Sequence, residues 1–217
     1  MRVIRIDPAD PEAALAEAVS VLRAGGLVAY PTESYYAIGA DALNPDAVAK
    51  VFAAKGRAYD KPLPVILHDK TLISRFTKEL SPLAVKAVEW LMPGPITLIF
   101  HAADNLPKNL TCGTGKVGIR VPEHEIMSGL ARLMGGPVTA TSANISGLPG
   151  LSAPDAVADA LGGKIDLILD GGITPGPPPS TLLDLTAEPP RLLREGRVPK
   201  SAIEAALGYI QTLISGI

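Results

Sequence analysis

The sequence contains few of the residues that build covalent or metal-based sites. It has one cysteine, Cys112, and three histidines, His68, His101 and His124, in 217 residues. One cysteine excludes a disulfide within the chain and a zinc site made of several cysteines. No two histidines stand four residues apart, as they do in helical zinc motifs, so we predict no metal site formed by the protein. A reducing, cytoplasmic compartment is expected, because the chain has no use for disulfides.

The chain also has few aromatic residues and a small net charge. The chain has three Phe, one Trp and five Tyr, and its formal net charge is −2. Few aromatic rings argue against a surface that stacks the bases of single-stranded nucleic acid. The charge disfavours a protein that is basic overall, although a local basic patch is not excluded. No apolar run approaches the roughly 20 residues of a membrane span, and the N-terminus lacks a signal-peptide pattern, so we expect no membrane interaction.

Helical and strand-like segments alternate along the chain. Helices are predicted where a capping residue and a proline precede an apolar stripe, at Asp10-Pro11, Asn44-Pro45 and Ser81-Pro82. Three more are predicted in HEIMSGLARLMGG, APDAVADALGG and, at the C-terminal end, SAIEAALGYIQTLI. Strands are predicted in LVAYPT, LPVILH, ITLIFHA, KVGIRVP, PVTATSAN, IDLILDGG, STLLDLT and RLLREG. The alternation predicts a single α/β domain over residues 1–217, with helices covering a mixed β-sheet.

Three cations lie between two apolar runs in the segment VFAAKGRAYDKPLPVIL, residues 51–67. They are Lys55, Arg57 and Lys61, within seven residues. In one interpretation, Lys55 and Arg57 interact with the dipole at the C-terminal end of the preceding helix. In the other, all three bind an anion such as phosphate, for which lysine supplies a point charge and arginine a planar fork. Lys61 favours the second interpretation, because it lies beyond the helix and just before a strand.

Further polar residues stand where predicted strands begin or end, which is where ligand groups gather in α/β folds. They are Thr32, Arg120, Ser142, Asn144, Ser180 and Arg194. Each also has a simpler explanation, such as an exposed edge position for the arginines or a plain turn for Ser142 and Asn144. Arg120 has no acidic neighbour in its strand, and a buried arginine needs an anionic partner, so a ligand anion is predicted there. The sequence has no Gly-rich phosphate loop of either common type.

These motifs, in this order, resemble the YrdC/TsaC family of L-threonylcarbamoyladenylate synthases. The resemblance rests on YPTESYYAIGADA, VFAAKGRAYDKPLPVIL, MPGPITLIF, VGIRVPEH, TATSANISGLPG, STLLDLT and RLLREG, from about Tyr30 to Gly196. It implies a twisted α/β sheet around a large open cavity. It also implies the short form of the family, without the C-terminal extension of the longer branch.

The activity implied by the resemblance joins L-threonine, bicarbonate and ATP into threonylcarbamoyl-AMP, with release of pyrophosphate. Mg²⁺ is implied as the ion that bridges the phosphates, and a separate complex would transfer the product to tRNA. Lys55 and Arg57 are implied as catalytic residues. The implied nucleotide contacts are Lys55, Arg57, Tyr59, Lys61, Ser142, Asn144 and Arg194, and the implied threonine contacts are Thr32, Arg120 and Ser180.

The sequence departs from the family pattern at a few positions near the expected site. Ser34 replaces a threonine, Ala37-Ile38 replace Gly-Leu, and Thr141 replaces a proline; the proline-rich run before Ser180 also differs. These changes concern threonine selectivity more than nucleotide binding. Two alternatives stay open: a YciO-type paralogue with another substrate, and a module of the same fold that binds RNA, weakly or as a double strand. The Lys-Gly-Arg and Ser-Ala-Asn signatures favour the synthase over the paralogue.

Overall fold

The computed structural model describes residues 1–212, which form a mixed α/β fold. The helices in this part are α1 (Glu12–Arg23), α2 (Pro45–Lys55), α3 (Pro82–Leu91), α4 (Glu125–Met134), α5 (Pro154–Leu161) and α6 (Lys200–Leu207), with a 3₁₀ helix at Lys70–Arg75. The strands are β1 (Arg2–Arg5), β2 (Val28–Tyr30), β3 (Ala37–Gly39), β4 (Val65–Ile66), β5 (Ile96–His101), β6 (Lys116–Arg120), β7 (Val138–Thr139), β8 (Thr141–Ser142), β9 (Leu167–Asp170), β10 (Thr181–Asp184), β11 (Arg191–Arg194) and β12 (Gln211–Thr212). No helix within residues 1–212 is long and apolar enough to cross a membrane.

The helix caps predicted from the sequence are confirmed at two of three positions. Asn44 caps α2, its side chain accepting hydrogen bonds from two backbone N–H groups, and Pro45 follows as the first helical residue. Ser81 caps α3, its side chain accepting a hydrogen bond from the Ala84 N–H, and Pro82 follows. At α1 the prediction is one residue early, because Pro11 itself occupies the capping position. Asp10 still accepts a hydrogen bond from the Glu12 N–H, at 3.3 Å.

The predicted terminal helix is too long. The helix α6 ends at Leu207, and Gly208 follows with a positive φ of 89°. The backbone N–H of Gln211 then donates to the carbonyl of Pro190, 2.8 Å away, and β12 pairs with β11. The chain therefore turns back to the edge of a sheet before the predicted helix is complete. The last predicted helical residues, 213 and 214, lie outside the described part.

The strands form two mixed sheets rather than the one sheet that was predicted. The five-stranded sheet has the order β1-β9-β2-β3-β8, and the seven-stranded sheet has the order β12-β11-β10-β5-β6-β4-β7. Both contain parallel and antiparallel pairs, which confirms the mixed character. The segment PVTATSAN joins the two sheets: it divides at Ala140, with β7 in the larger sheet and β8 in the smaller. The Ala140 N–H instead donates to the carbonyl of Pro64, at 2.8 Å.

The middle strands of the five-stranded sheet are buried on both faces. Along β9, Leu167 and Leu169 belong to one hydrophobic cluster and Ile168 to the other. Both faces are therefore covered, as expected for parallel strands in an α/β fold. One cluster includes residues of α1 and α4, and the other includes residues of α2, α3 and the seven-stranded sheet.

Candidate active site

A cavity of about 700 Å³ lies between the two sheets. The seven-stranded sheet contributes side chains of β5, β6 and β10, and the smaller sheet contributes the ends of β3 and β8. Loops over residues 32–36, 57–64, 144–150 and 179–180 add to the wall. The ends of elements from the whole length of the chain therefore meet at one site.

Alternate residues of β6 form part of the cavity floor. On β6 these are Lys116, Gly118 and Arg120, whereas Val117 and Ile119 point into the core. Successive side chains of a strand point to opposite faces and residues rise about 3.3 Å each, so Lys116 and Arg120 lie roughly 13 Å apart along the floor. Gly118 lies between them and has no side chain to occupy the space above the sheet. A Cβ at this position would lie only 3.1 Å from the Thr97 methyl carbon.

The lining is strongly basic in a chain that is slightly acidic overall. Among the described residues, the basic side chains of the lining are Arg57, Lys61, Lys116, Arg120 and Arg194, and the acidic one is Asp184. Asp184 is itself paired with Lys116, at 2.9 Å between Oδ2 and Nζ. Because the lining has an excess of positive charge, the cavity suits a ligand with several negative charges.

Eight of the ten predicted site residues line this cavity. They are Thr32, Arg57, Lys61, Arg120, Ser142, Asn144, Ser180 and Arg194. Lys55 and Tyr59 do not. The Tyr59 side chain is exposed and its ring stacks on Phe52, with 4.2 Å between the ring centroids.

Lys55 is buried beneath the Ser-Ala-Asn segment. Only 2% of its surface is exposed, and its Nζ donates to the carbonyl oxygens of Ser142 and Asn144 and to the Asn144 Oδ1. Burial, followed by the positive charge of Arg57, lowers the pKa of the Lys55 ammonium to about 8. The ammonium therefore remains mostly protonated at neutral pH, with its hydrogen bonds directed into the protein.

Arg57 organises the loop that follows α2. Gly56 ends the helix in the left-handed conformation, with φ 57°. The Arg57 guanidinium then donates to the carbonyls of Lys61 and Pro62, at 3.0 and 3.3 Å from Nη2. The loop closes on itself, so that Arg57 and Lys61 both reach the cavity. The dipole interpretation concerned Lys55 and Arg57 at the end of the helix. It gives no reason for Lys61 to line the cavity.

Arg120 has a protein partner that its own strand did not reveal. Its Nη1 lies 2.8 Å from the Glu33 Oε1, and its Nε donates to the carbonyl of Gly94, at 3.0 Å. Burial alone would raise the pKa of the Glu33 carboxyl, but the hydrogen bond and charge of Arg120 hold that pKa below its ordinary value. The Arg120 Nη2 has no acceptor within residues 1–212 and remains open to a ligand. The expected buried anion is thus partly supplied by the protein.

Two hydroxyl groups at the site are held by local hydrogen bonds. The Thr32 hydroxyl donates to the carbonyl of Tyr35 at 2.6 Å and accepts from the Ser34 N–H at 3.0 Å. At the other end, Ser180 lies below Arg194, whose Nη2 is 2.8 Å from the Ser180 carbonyl and 3.3 Å from its hydroxyl. Both hydroxyls are therefore presented by a fixed backbone.

Three charged residues at or beside the site, Lys116, Asp184 and Arg197, were not predicted from the sequence; Glu33 was noted after the first predicted strand, but its contact with Arg120 was not. The alternation Lys-x-Gly-x-Arg in KVGIR could have indicated Lys116 as a neighbour of Arg120 on one strand face. Arg197 connects two loops by donating to the carbonyls of Glu33 and Gly176, at 2.6 and 3.3 Å. No local sequence pattern predicts these contacts of Arg197.

Residues that could hold a resident metal ion do not gather here. Within the described part of the chain, no three His, Cys, Asp or Glu side chains come close enough to share an ion. The lining carboxylate, Asp184, already bonds Lys116 and Thr186. A divalent ion at this site would therefore take its oxygen ligands chiefly from a bound phosphate group.

Comparison with known proteins identifies the family. The sequence profile described as "Sua5_yciO_yrdC: Telomere recombination" matches residues 20–196. The chain belongs to the Sua5/YciO/YrdC family. This confirms the resemblance drawn from the motifs and the fold class that it implied.

Among Sua5/YciO/YrdC proteins, the "Threonylcarbamoyl-AMP synthase" of Pyrococcus abyssi is 40% identical over 194 residues, 89% of this chain and 57% of the relative. The chain thus spans less than two thirds of the length of that relative. The crystal structure of P. abyssi Sua5 complexed with L-threonine superimposes with a TM-score of 0.93 and 38% identity, covering 98% of this chain and 62% of that one. E. coli YciO superimposes with a TM-score of 0.85 and 27% identity, covering 93% and 99%.

Proposed function

We propose that this chain is a threonylcarbamoyl-AMP synthase that joins L-threonine, bicarbonate and ATP and releases pyrophosphate. The observation that carries the proposal is the meeting of five basic side chains in one cavity that also presents threonine and serine hydroxyls. The name of the P. abyssi relative and the threonine complex of P. abyssi Sua5 support the same reaction.

The reaction requires three anionic groups to come together: the carboxylate of threonine, the carboxylate derived from bicarbonate and the triphosphate of ATP. The threonine amine combines with bicarbonate to form N-carboxythreonine and water. An oxygen of this carbamate then attacks the α-phosphorus of ATP, the bond between the α-phosphorus and the bridging oxygen breaks, and pyrophosphate leaves. Fixed cations offset the mutual repulsion of these groups and stabilise the charge that develops on the leaving group.

The lining residues suit separate parts of this reaction. Arg57 and Lys61 are assigned to the phosphates, because both lie on the loop that opens to the cavity. Arg120, with its free Nη2, is assigned to the threonine carboxylate, and the hydroxyls of Thr32 and Ser180 to the rest of the amino acid. The nucleotide is assigned to the side of Ser142, Asn144 and Arg194. Holding the reactants in this order would supply most of the rate, since the chemistry needs little proton transfer.

Mg²⁺ is proposed to enter with ATP, bound to phosphate oxygens, where it would neutralise charge on the leaving pyrophosphate. The product would then be consumed by a separate complex that transfers the threonylcarbamoyl group to tRNA. A YciO-type paralogue remains the second candidate, because E. coli YciO shares the fold. The higher identity to P. abyssi Sua5, 38% against 27%, favours the synthase.

Pyrophosphate release tests the proposal directly. We expect release from ATP and bicarbonate that depends on L-threonine and is much slower with serine or glycine. Lys61→Ala should raise the KM for ATP about tenfold or more, because a charged hydrogen bond is worth roughly 1.5–3 kcal/mol. The matched control is Lys78→Ala, an exposed lysine outside the cavity, which should leave the KM unchanged.

Release that is equal with every amino acid, or with none, would overturn the threonine assignment and favour the paralogue. RNA binding that weakens steeply with salt and is indifferent to ATP would instead indicate an RNA-binding module.

A further inference from the structure

Lys55 uses its whole hydrogen-bonding capacity inside the protein. An ammonium group has three N–H donors and no acceptor. In this structure three oxygens take them: the carbonyls of Ser142 and Asn144 and the Asn144 Oδ1. Lys55 is 2% exposed and does not line the cavity. No donor is left to bind a phosphate oxygen.

Asn144 is saturated in the same way. Its Oδ1 accepts from Lys55 Nζ at 3.1 Å and from the Ser142 hydroxyl at 2.5 Å. Its Nδ2 donates to the carbonyls of Ile145 and Leu148, at 2.9 and 2.5 Å. A side-chain amide has two donors and two acceptor positions, so all four are occupied. Asn144 therefore shapes the turn rather than offering its amide to a ligand.

The contacts of Lys55 fix one short segment of the cavity wall. The backbone of the same residue also takes part, because the Ser146 N–H donates to the Lys55 carbonyl at 2.8 Å. The segment 142–148 is thus tied to the end of α2 by four hydrogen bonds, three from the side chain and one to the main chain. Ser142, Asn144 and Leu148 of this segment line the cavity.

We propose that Lys55 is a positioning residue that holds the segment 142–148 in place on the nucleotide side of the cavity and does not contact the phosphates. Its assignment to the nucleotide side rests on the proposed function. Lys55 and Arg57, although only two residues apart, therefore have different roles. Arg57 reaches the cavity, whereas Lys55 supports the segment 142–148 from within the protein.

Removal of the ammonium group would leave the Asn144 carbonyl oxygen without a donor, whereas the Ser142 carbonyl keeps the Asn144 N–H and the Asn144 Oδ1 keeps the Ser142 hydroxyl. The Asn144 backbone is buried along with its side chain, and an unsatisfied buried acceptor costs about 1–3 kcal/mol. Within residues 1–212, Lys55 has no carboxylate partner in an ion pair, so the oxygens of the segment supply its stabilisation. The segment is therefore expected to open locally when Lys55 is replaced, while the sheets remain folded.

The test is amide hydrogen exchange of ligand-free protein, with Lys55→Met compared with Lys50→Met. Lys50 lies on the same helix and donates to a single carbonyl, that of Gly25, outside the cavity. We expect exchange of the Ser146 and Leu148 amides to rise at least tenfold in Lys55→Met and to stay unchanged in Lys50→Met. A nonhydrolysable ATP analogue should bind Lys55→Met about tenfold more weakly and should restore part of the protection.

Unchanged exchange of the segment in Lys55→Met, or an equal rise in both variants, would overturn the proposal. If Lys55→Met does not fold, the side-chain ¹⁵N signal of Lys55 in the wild type decides. We expect saturating ATP analogue to leave that signal unshifted, whereas a large shift would indicate phosphate contact. Neither measurement needs turnover, so failure of threonine-dependent pyrophosphate release would count against the reaction and not against the role of Lys55.

Discussion

Replacement of Arg120 by methionine should destabilise the fold, because it leaves Glu33 as a buried charge. Arg120 Nη1 and Glu33 Oε1 are 2.8 Å apart, and their side chains are 8% and 21% exposed. The second carboxylate oxygen of Glu33 is buried and has no partner within residues 1–212. Removal of one member of a buried pair costs roughly 3–5 kcal/mol. Since Glu33 keeps some contact with solvent, we expect about 3 kcal/mol.

Urea denaturation measures this loss. With a slope of about 2 kcal/mol/M, the midpoint of Arg120→Met should fall by about 1.5 M at pH 7. The control is Arg132→Met, which breaks another arginine–glutamate pair, with Glu12, whose side chains are half exposed. Such surface pairs contribute about 0–1 kcal/mol, so its midpoint should hardly move.

The loss should also depend on pH. In the wild type Arg120 holds the pKa of Glu33 below its ordinary value. The pair therefore stabilises the fold above that ordinary pKa, and this contribution is lost as pH falls through the lowered one. Without Arg120, burial raises the pKa of Glu33, so the variant takes up a proton in mild acid. The difference between the two proteins should thus shrink as the pH falls through the range in which Glu33 of the variant takes up its proton. A cost under 1 kcal/mol, or one of the same size when Glu33 is already glutamine, would refute the reasoning.

Two further substitutions test local packing. Asn44→Ala removes the cap of α2, where the Oδ1 accepts from two backbone N–H groups, and should lower the free energy of unfolding by about 1 kcal/mol; an unchanged thermal midpoint would contradict the capping role. Gly196→Ala would place a Cβ 2.2 Å from the Pro179 carbonyl oxygen and 2.7 Å from the Ser180 carbonyl carbon. It should displace Ser180 and weaken threonine binding in calorimetry, whereas Gly136→Ala, with open space around its Cβ position, should change neither binding nor stability.

The parts of the fold that depend on neighbouring residues could be predicted from the sequence. The start of α2 at Asn44-Pro45 and the start of α3 at Ser81-Pro82 follow from side chains that cap the next turn. The strand β3 was missed, and β8 was merged with β7 into one predicted strand; β3 has three residues and β8 has two. Short strands of this kind carry no periodic pattern.

The candidate site was predictable in its residue types but not in its contacts. Motif reasoning gathered Arg57, Lys61 and Arg120, and the structure places all three in one cavity. It did not foresee that Glu33 would pair with Arg120 across 87 positions of sequence. It also gave Lys55 the same task as Arg57, because spacing alone does not show which way a side chain at a helix end points. These contacts arise from tertiary packing.

The alternation of cavity and core residues along β6 restricts how this site can change. Lys116, Gly118 and Arg120 face the cavity, and Val117 and Ile119 face the core. A shift of the strand by one residue would exchange the two sets, burying both cations in the core and turning aliphatic side chains toward the cavity. Point substitution on this strand can therefore change the cavity lining alone, whereas a shift by one residue would disturb the core packing and the charge of the cavity together.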